Sequence, residues 1–403
     1  MPYLPSKGGF RISGANLIKH LCRRHKVDLI SLLRDEDSQH IDWIAKYCES
    51  VFTVPVRRTS LPRRLAGFLS GYAIGKQLSC RPEVVSALRS GFDRKHWDVL
   101  HAEGGFVGGL VPSDLPVAKV LAVHDAEVLR AQEILKCDVN VRDRLRYTAR
   151  TYYERRYQRL VYPRFERCVF VAERDMVFNQ SIVPRAASEV IPYGVDVDYF
   201  QPMPVEKQKN ELVFHGHLGY APNIQAAIEF ADNIFPLILC KAPSATLHLV
   251  GASPAPAICA LASRPRIRLS ADLPDLRAAV SSAEIYVCPL RYGSGIKNKT
   301  LEAMAMELPI VGYPGSTAGI TCVPGKHMLV AETPAQFAAS VLNLLERPQY
   351  AREIAEAGRR LMQDKYSWES MAAAYENLYQ QVIDERAAPQ FQGLHKNLTV
   401  TAS

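Results

Sequence analysis

No segment of this sequence reaches the roughly 18 consecutive apolar residues that a membrane-spanning helix needs. The opening residues, MPYLPSKGGF, lack the apolar core of a secretory signal. Hydrophobic residues make up 48% of the 403 positions and charged residues 22%, which excludes a disordered chain, a fibre and a small disulfide scaffold. A chain of this length and composition is expected to fold into two large domains.

The sequence also lacks the usual signatures of a metal site or a bound dinucleotide. Its nine cysteines are scattered and never spaced C-x-x-C, so we expect reduced thiols in a cytoplasmic protein rather than disulfides or zinc ligands. Asp196 and Asp198 form a D-x-D at an expected linker, where turn chemistry is the simpler interpretation. No G-x-G-x-x-G follows a predicted strand with an acidic residue about 20 positions on, which excludes a dinucleotide-dependent oxidoreductase.

Short apolar runs alternate with helical patterns along the whole chain. Strands are predicted at 27–33, 51–54, 98–102, 117–123, 168–172, 211–216, 245–251, 266–270, 284–290 and 309–313. Helices are predicted at 12–24, 142–161, 222–235, 273–282, 298–306, 334–346 and 367–384. Nearly all-apolar strands that alternate with helices indicate α/β domains, with parallel sheets covered on both faces.

Proline and glycine in IPYGVDVDYFQP (191–202) mark a boundary between two Rossmann-like domains. We expect an N-terminal domain over 1–192 and a C-terminal domain over 193–385, whose last helix crosses back. A disordered tail is expected over 386–403, where the periodicity ends. The N-terminal domain has no apolar strand before its first glycine turn, SKGG (6–9), so either its first strand is missing or the true start lies upstream; we favour the second.

The segment 290–310, LRYGSGIKNKTLEAMAMELPI, combines a strand end, a glycine turn and a following helix. Gly293 and Gly295 allow a ligand to approach the backbone, and the helix N-terminus presents N–H groups to an anion. Three charged side chains follow the turn: Lys297, Lys299 and Glu302. Two cations beside a carboxylate that can accept from a ribose diol fit a nucleotide diphosphate attached to a sugar. Taken alone, the segment also fits a plain strand–turn–helix junction with surface lysines.

This segment resembles the donor-binding signature of the family 4, or group 1, glycosyltransferases. Most members have two glutamates separated by seven residues; Glu302 matches the second, and Ser294 stands in the place of the first. The branch with R-x-G-x-G-I-K-x-K-x-L-E-A-M-A is most similar and has the charged residues Arg291, Lys297 and Lys299. Further family elements occur in the expected order: IPYGVD (191–196), VFHGHLGYAPNIQAA (213–227), SATLHLVG (244–251) and KYSWESMAAAYENLY (365–379).

The resemblance implies a GT-B fold, in which two Rossmann-like, doubly wound parallel-sheet domains face a central cleft. It implies a retaining glycosyltransferase of the hexosyltransferase type that moves a sugar from a nucleotide diphosphate sugar to a hydroxyl acceptor. No metal and no other cofactor is expected. A saccharide or lipid-linked acceptor of cell-envelope or exopolysaccharide assembly is typical of this family, and nucleic acid is not an expected partner.

The resemblance assigns donor-binding residues to both domains. They are Gly8, Gly9, Gly216, Arg291, Gly293, Ser294, Gly295, Ile296, Lys297, Lys299 and Glu302. Many relatives supply an arginine and a lysine from the loop after the F-x-G strand, where this sequence has His217 and Asn223. We therefore assign neutralisation of the leaving diphosphate to Lys299, assisted by Arg291 or Lys297.

In the first half, KVLAVHDAEVLR (119–130) places His124 and Asp125 directly after an apolar strand, at the edge that faces the cleft of a doubly wound sheet. Relatives have a histidine here that contacts the donor. The predicted catalytic set is therefore His124, Lys299 and Glu302, with His124 as a hydrogen-bond donor in the transition state. A packing or capping histidine is the simpler alternative, and Asp125 is equally expected to cap the next helix.

The formal net charge of +8 resides wholly in residues 1–200. Within 55–78, four arginines alternate with apolar residues: Arg57, Arg58, Arg63 and Arg64. This pattern is typical of contact with an anionic membrane surface. An ordinary solvated surface is an equally good interpretation. The second basic stretch, 142–167, is interpreted as a helix whose tyrosines pack inward. The protein is thus expected in the cytoplasm, where it associates peripherally with the inner face of the membrane.

Two other functions stay open on the sequence alone. A nucleotide-sugar epimerase of the same fold would need an acid and a base carboxylate deep in the cleft, and the sequence identifies no such pair. A non-catalytic relative that only binds a nucleotide sugar is compatible with Ser294 and with Tyr193, which replaces the usual asparagine of the interdomain element.

Overall fold

The computed structural model of the chain describes residues 1–2, 4, 9–56, 81–136, 141–291 and 295–387. The chain divides into two compact units. The first unit comprises Met1–Ile191 together with the chain from Ala372 onward, and the second comprises Pro192–Met371. Among the described residues, no helix is both long and apolar enough to cross a bilayer.

The first unit alternates helices with short parallel strands. Its elements are α1 (Gly9–Leu21), β1 (Asp28–Leu33), α2 (Ile41–Ala45), β2 (Ser50–Pro55), α3 (Arg81–Lys95), β3 (Val99–Glu103), β4 (Ala118–His124), α4 (Glu127–Lys136), α5 (Val141–Val161), β5 (Arg167–Phe170), α6 (Glu173–Ile182) and β6 (Ser188–Val190). The last described helix, α14 (Trp368–Ala387), belongs to this unit from Ala372 onward.

In the first unit, two neighbouring parallel strands end side by side at the carboxyl edge of the sheet. β1 pairs with β2, and a second parallel sheet has the order β3-β4-β5-β6. Every residue of β4 is buried, as expected for a strand covered on both faces. Because β3 and β4 are parallel neighbours, their carboxyl ends lie together, with Glu103 opposite Ala122 and His124 just beyond. This edge therefore holds the predicted site residue His124.

The second unit is a doubly wound α/β unit with a larger, six-stranded sheet. Its elements are β7 (Gln208–His217), α7 (Ala221–Glu229), α8 (Phe235–Leu239), β8 (Thr246–Ala252), α9 (Pro256–Ala262), β9 (Ile267–Ala271), α10 (Arg277–Ser281), β10 (Ala283–Cys288), α11 (Asn298–Ala305), β11 (Ile310–Gly312), β12 (Leu329–Val330), α12 (Pro334–Glu346) and α13 (Pro348–Lys365).

The strand order of the second unit creates a switch point. The parallel sheet has the order β12-β11-β10-β7-β8-β9. The chain therefore proceeds outward from β7 to β9, returns to β10 beside β7, and then proceeds outward on the other side. In such sheets, ligands bind at the carboxyl ends of the two strands where the direction reverses. The ends of β7 and β10 are thus the place where the fold itself favours a binding site.

All ten predicted strands are present, with bounds that differ by a few residues. The predicted helix 273–282 is only the short Arg277–Ser281. The predicted helix 222–235 continues through a π-helical turn, Phe230–Ile234, into α8. Pro236 explains this irregularity, because a proline supplies no N–H to the ordinary helical ladder. The described elements that were not predicted are β6, β12, α2, α3, α4, α6, α9 and α13.

The end of the last helix differs from the expected tail. α14 continues to Ala387, although disorder was predicted from residue 386. Two ion pairs hold this end: Arg386 to Glu166 at 2.7 Å and Arg167 to Glu385 at 2.5 Å. Residues 388–403 of the predicted tail lie outside the described residues.

Candidate functional site

At the switch point of the second unit, the chain turns from β10 into α11. Gly295 has a φ of 67°, a left-handed conformation that glycine adopts at little cost. Ile296 packs against Gly319, where an added Cβ would lie 2.9 Å from the Ile296 side chain. α11 begins at Asn298, as the sequence predicted, and Thr300 fixes its first turn by donating to the Ser316 carbonyl oxygen at 3.0 Å. Gly293 and Ser294 lie outside the described residues.

Lys299 lies at the carboxyl end of β7. Its Nζ donates to the side-chain oxygen of Asn223 and lies 5.0 Å from the ring centroid of Phe214. Gly216, at a φ of 147°, leaves room for it, because an added Cβ there would be 3.1 Å from Nζ. Asn223 is itself held by a 2.8 Å bond from its amide nitrogen to the carbonyl oxygen of His217.

Burial governs the charge of Lys299. It lowers the pKa of the ammonium group to about 8, helped by Lys297 and opposed by Cys288 and Glu302. The side chain therefore remains largely charged at neutral pH. Within the described residues, no carboxylate forms an ion pair with Lys299. A cation held by a neutral amide at the switch point is suited to an anionic ligand.

Glu302 lies one turn further along α11 and is tied to β7. Its Oε2 accepts from Nε2 of His215 at 2.7 Å. The His215 side chain is buried, whereas the Glu302 side chain keeps a quarter of its surface exposed. One carboxylate oxygen thus has a fixed protein partner, while the group as a whole is accessible.

The other two cations of the signature have different environments. Arg291 donates to Glu229 at 2.6 Å and to the Tyr313 hydroxyl at 3.0 Å, and its guanidinium stacks 4.1 Å from the Tyr313 ring centroid. The Nζ of Lys297 donates to the Gly295 carbonyl oxygen at 3.4 Å. The structure therefore brings Gly216, Lys299 and Glu302 together, whereas Arg291 is held in a structural pair.

In the first unit, His124 ends β4 with a φ of 68°, an uncommon conformation for a residue with a side chain. Its Nε2 lies 3.1 Å from Oε1 of Glu103, the last residue of β3, and both atoms are buried. Such left-handed residues cost energy and are often found at functional sites. The strand edge thus holds a histidine–carboxylate ion pair.

Two further side chains extend this pair. Oε2 of Glu103 lies 2.8 Å from Nε2 of His101, and Nδ1 of His101 lies 2.7 Å from the Tyr379 hydroxyl on α14. Both ring nitrogens of His101 are satisfied when Tyr379 donates to Nδ1 and Nε2 donates to Glu103, whereas His124 contacts Glu103 as an ion pair. An added Cβ at Gly14 of α1 would lie 3.3 Å from Glu103, so this helix also packs against the pair.

The pKa values in the first unit indicate a charged pair. Burial alone would raise the pKa of Glu103, but His124 and His101 outweigh it and lower the pKa to about 2. Burial alone would lower the pKa of His124, but Glu103 and then Asp125 raise it above its ordinary value. Imidazolium and carboxylate therefore stabilise each other.

Most of the remaining predicted site residues lie outside the described residues. Gly9 is the first residue of α1, and Gly8 lies outside the described residues. The predicted membrane contact, comprising Arg57, Arg58, Arg63 and Arg64, also lies outside them. Among the residues that the structure describes, no cluster of three or more His, Cys, Asp or Glu side chains could hold a metal ion.

Three residues that contact predicted site residues were not predicted: Glu103 in the first unit, and His215 and Asn223 in the second. Glu103 is the last residue of the motif HAE at a strand end, and the adjacency of β3 and β4 is the signal that could have found it. His215 occupies the variable position of the F-x-G element. Asn223 was discounted because it is uncharged, yet it is the residue that holds Lys299.

The whole chain resembles solved glycosyltransferase structures. A sucrose-phosphate synthase from Thermosynechococcus elongatus superposes with a TM-score of 0.70 at 17% identity, covering 94% of each chain. Anabaena HepE in complex with UDP and glucose superposes with a TM-score of 0.63 at 11% identity, covering 93% of this chain and 96% of its own. The fold is therefore that of the GT-B glycosyltransferases, as predicted.

Sequence comparison identifies the family. Residues 209–347 match the family model of the group 1 glycosyl transferases. An MMP alpha-(1->4)-mannosyltransferase of Mycolicibacterium hassiacum is 31% identical over 117 residues, 28% of each chain. An uncharacterized 44.6 kDa protein in the cps region of Klebsiella pneumoniae is 20% identical over 356 residues, 85% of this chain and 88% of its own. The chain thus contains a group 1 glycosyl transferase domain, which confirms the predicted family.

Proposed function

We propose that the protein is a retaining, metal-independent glycosyltransferase that moves a sugar from a nucleotide diphosphate sugar to a hydroxyl acceptor. The observation that carries this proposal is Lys299, a partly buried cation held by Asn223 at the switch point of the group 1 domain. UDP is the first nucleotide to test, because HepE, a neighbour in fold, was solved with it.

In the proposed reaction, the bond between the sugar C1 and the diphosphate oxygen breaks as the acceptor oxygen bonds to C1 on the same face. The leaving phosphate takes the acceptor proton, so no separate base is required. Lys299 and the first N–H groups of α11 stabilise the negative charge that develops on the diphosphate. Glu302 accepts from the ribose hydroxyls, and His124 donates a hydrogen bond to the donor.

Metal independence follows from the same charges. A leaving diphosphate needs compensating positive charge, which a metal ion supplies in many transferases. We propose that Lys299 and the N-terminus of α11 supply it here, with His124 as a further positive charge for the reaction. Transfer that is unchanged by EDTA would support this, whereas a requirement for added Mg²⁺ or Mn²⁺ would contradict it.

We propose a cytoplasmic enzyme whose acceptor is a lipid-linked saccharide at a membrane surface. One exposed face of α5 supports this: Val141 is 75%, Leu145 68% and Tyr152 69% exposed. These three residues follow helical spacing, and exposed arginines such as Arg144 flank them. The tyrosines of this stretch were predicted to pack inward, which is true of Tyr153 but not of Tyr152.

Vesicle sedimentation tests the membrane surface. Leu145→Ser with Tyr152→Ser should reduce binding to vesicles of anionic phospholipid. Val177→Ser with Leu237→Ser, two exposed apolar residues elsewhere, is the matched control. Equal binding by both double variants would remove this support.

The central test of the function is Lys299→Ala. Loss of this cation should reduce kcat/KM by about 100- to 1,000-fold, because the developing charge loses a positioned donor. Lys326→Ala, which removes an exposed lysine of the same unit, is the matched control and should be neutral. Binding of UDP, GDP, ADP and dTDP is measured alongside by calorimetry. Normal turnover by Lys299→Ala would contradict the proposed role.

A further inference from the structure

His215 is not among the residues that bind donor in the proposed function, yet it is tied to one that does. It lies on β7 immediately before Gly216, and its side chain is almost completely buried. Its ring packs edge-to-face against the buried Tyr286 of β10, with centroids 5.3 Å apart. Tyr286, on the neighbouring strand at the switch point, thus helps to fix the position of this imidazole.

The hydrogen bond determines the tautomer of His215. A carboxylate can only accept, so the 2.7 Å contact to Glu302 places the proton on Nε2 of His215. Nδ1 is buried and accepts from no group in the described part of the chain. A buried ring nitrogen left unsatisfied costs free energy, and the arrangement is maintained by the bond that the other nitrogen makes.

The same bond orients Glu302. With Oε2 engaged, Oε1 is the oxygen without a protein partner among the described residues, on a side chain that is one-quarter exposed. A carboxylate on a helix has several rotamers of similar energy, and a charge-assisted bond to a rigid ring selects one of them. Glu302 therefore presents a single oriented acceptor.

We propose that His215 is a positioning residue that makes the site specific for ribose over deoxyribose, by fixing Glu302 to accept from the vicinal hydroxyls of the nucleotide. This inference rests on the proposed function, because it takes Glu302 as the ribose acceptor. The residue that this inference adds is His215 on β7, which touches no substrate and acts through the Glu302 carboxylate.

The experiment compares binding of UDP, GDP and ADP with binding of their 2′-deoxy and 3′-deoxy counterparts. Wild type should bind at least one ribonucleotide about 10-fold more tightly than its deoxy forms, since each carboxylate–hydroxyl bond contributes roughly that factor. His215→Phe retains the ring shape but has no donor, and its preference should fall to about twofold or less. His215→Gln retains an N–H near the position of Nε2 and should recover most of it.

Three readouts separate specific positioning from a damaged fold. The melting temperature of His215→Phe should stay close to that of His215→Gln, and its KM for the donor should rise more than its kcat falls. Glu302→Gln should lose the same ribose preference, and combining it with His215→Phe should add little, since both act on one contact. A His215→Phe protein that still prefers ribose would overturn the inference and leave the proposed function intact. Absence of nucleotide binding by wild type would overturn both.

Discussion

Each of the two units has a histidine–glutamate pair at the carboxyl edge of its sheet, and the pairs are built for different tasks. In the first unit, His124 and Glu103 end neighbouring strands, and the glutamate is shared with a second histidine. In the second unit, His215 is buried on a strand, and Glu302 projects from a helix. In the first pair the carboxylate keeps a histidine charged. In the second pair the histidine orients a carboxylate.

The difference arises from what surrounds each glutamate. Glu103 has ring nitrogens at both oxygens, which lowers its pKa to about 2 against the opposing effect of burial and keeps the carboxylate charged. Glu302 has one histidine and retains exposed surface on its side chain. A fully partnered carboxylate stabilises its neighbours, whereas a half-partnered one remains free to bind a ligand. The same two residue types therefore perform opposite roles.

Of the variants that test this contrast, Glu103→Gln should have the largest effect. The pKa of His124 is raised chiefly by Glu103, so without the carboxylate it falls and the ring loses its proton at lower pH. We expect kcat/KM to fall about 10- to 100-fold at pH 8, with the loss becoming smaller as the pH is lowered. Asp125→Asn, which removes the weaker of the two charges, is the control. NMR of histidine-labelled protein, with His124→Gln for assignment, measures the pKa directly.

The titratable groups around His124 define what this experiment reports. They are Glu103 and His101 on β3, Asp125 beyond β4 and Tyr379 on α14. Glu127, further along α4, is paired with Arg130 and Arg150. If the pH profile of Glu103→Gln matched that of wild type, the charge of His124 would not matter for transfer, and the contrast between the two pairs would disappear.

The next effect concerns the space around Lys299. Gly216→Ala introduces a Cβ 3.1 Å from Nζ, at a φ of 147° that side chains rarely adopt. Donor binding should weaken about 10-fold, because the ammonium group is displaced. Gly325→Ala is the matched control, since it has a φ of 80° and nothing within 4 Å of an added Cβ. Both variants should lose roughly 1 kcal/mol of stability, but only Gly216→Ala should lose affinity; equal affinity losses would contradict the role of Gly216.

A smaller effect follows from the pKa of Lys299. Because burial lowers it to about 8, the ammonium group loses its charge as the pH rises through that value. Affinity for a nucleoside diphosphate should therefore be constant below pH 7 and fall by at most about tenfold per pH unit above 8. Calorimetry between pH 6 and 9.5 measures this. Lys299→Arg keeps its charge over the whole range, so a persistent decline in that variant would show that another group is responsible.

Much of the second unit could be predicted from the sequence, because its signals are local. Alternating apolar runs gave the strands, and LRYGSGIKNKTLEAMA placed the start of α11 and the charges of Lys299 and Glu302. The missed helix α13 has its own amphipathic pattern, with Ile354, Leu361 and Met362 buried. The sequence therefore contains enough local information to predict this helix.

The partners of the site residues were beyond prediction because they depend on pairing between elements distant in sequence. His215 and Glu302 meet only because β7 and α11 lie together at the switch point. Arg291 looked like a ligand-binding cation in the motif, and only the position of Glu229 on α7 reveals its structural pair. Local patterns thus identify charged residues, whereas the fold decides which of them have partners already.

Tyr379→Phe gives the smallest expected effect and tests how far the first pair extends. Its hydroxyl lies 2.7 Å from Nδ1 of His101, which in turn contacts Glu103, so its loss reaches His124 only through two other residues. We expect a stability loss of about 1 kcal/mol and a shift of the alkaline limb of the pH profile well below that of Glu103→Gln. Tyr350→Phe, whose hydroxyl bonds a carbonyl oxygen in the second unit at 3.3 Å, is the control. A shift as large as that of Glu103→Gln would mean that Tyr379, His101 and Glu103 act on His124 as one cooperative unit. The contrast between the two units of the protein would then be between a four-residue network and a two-residue pair.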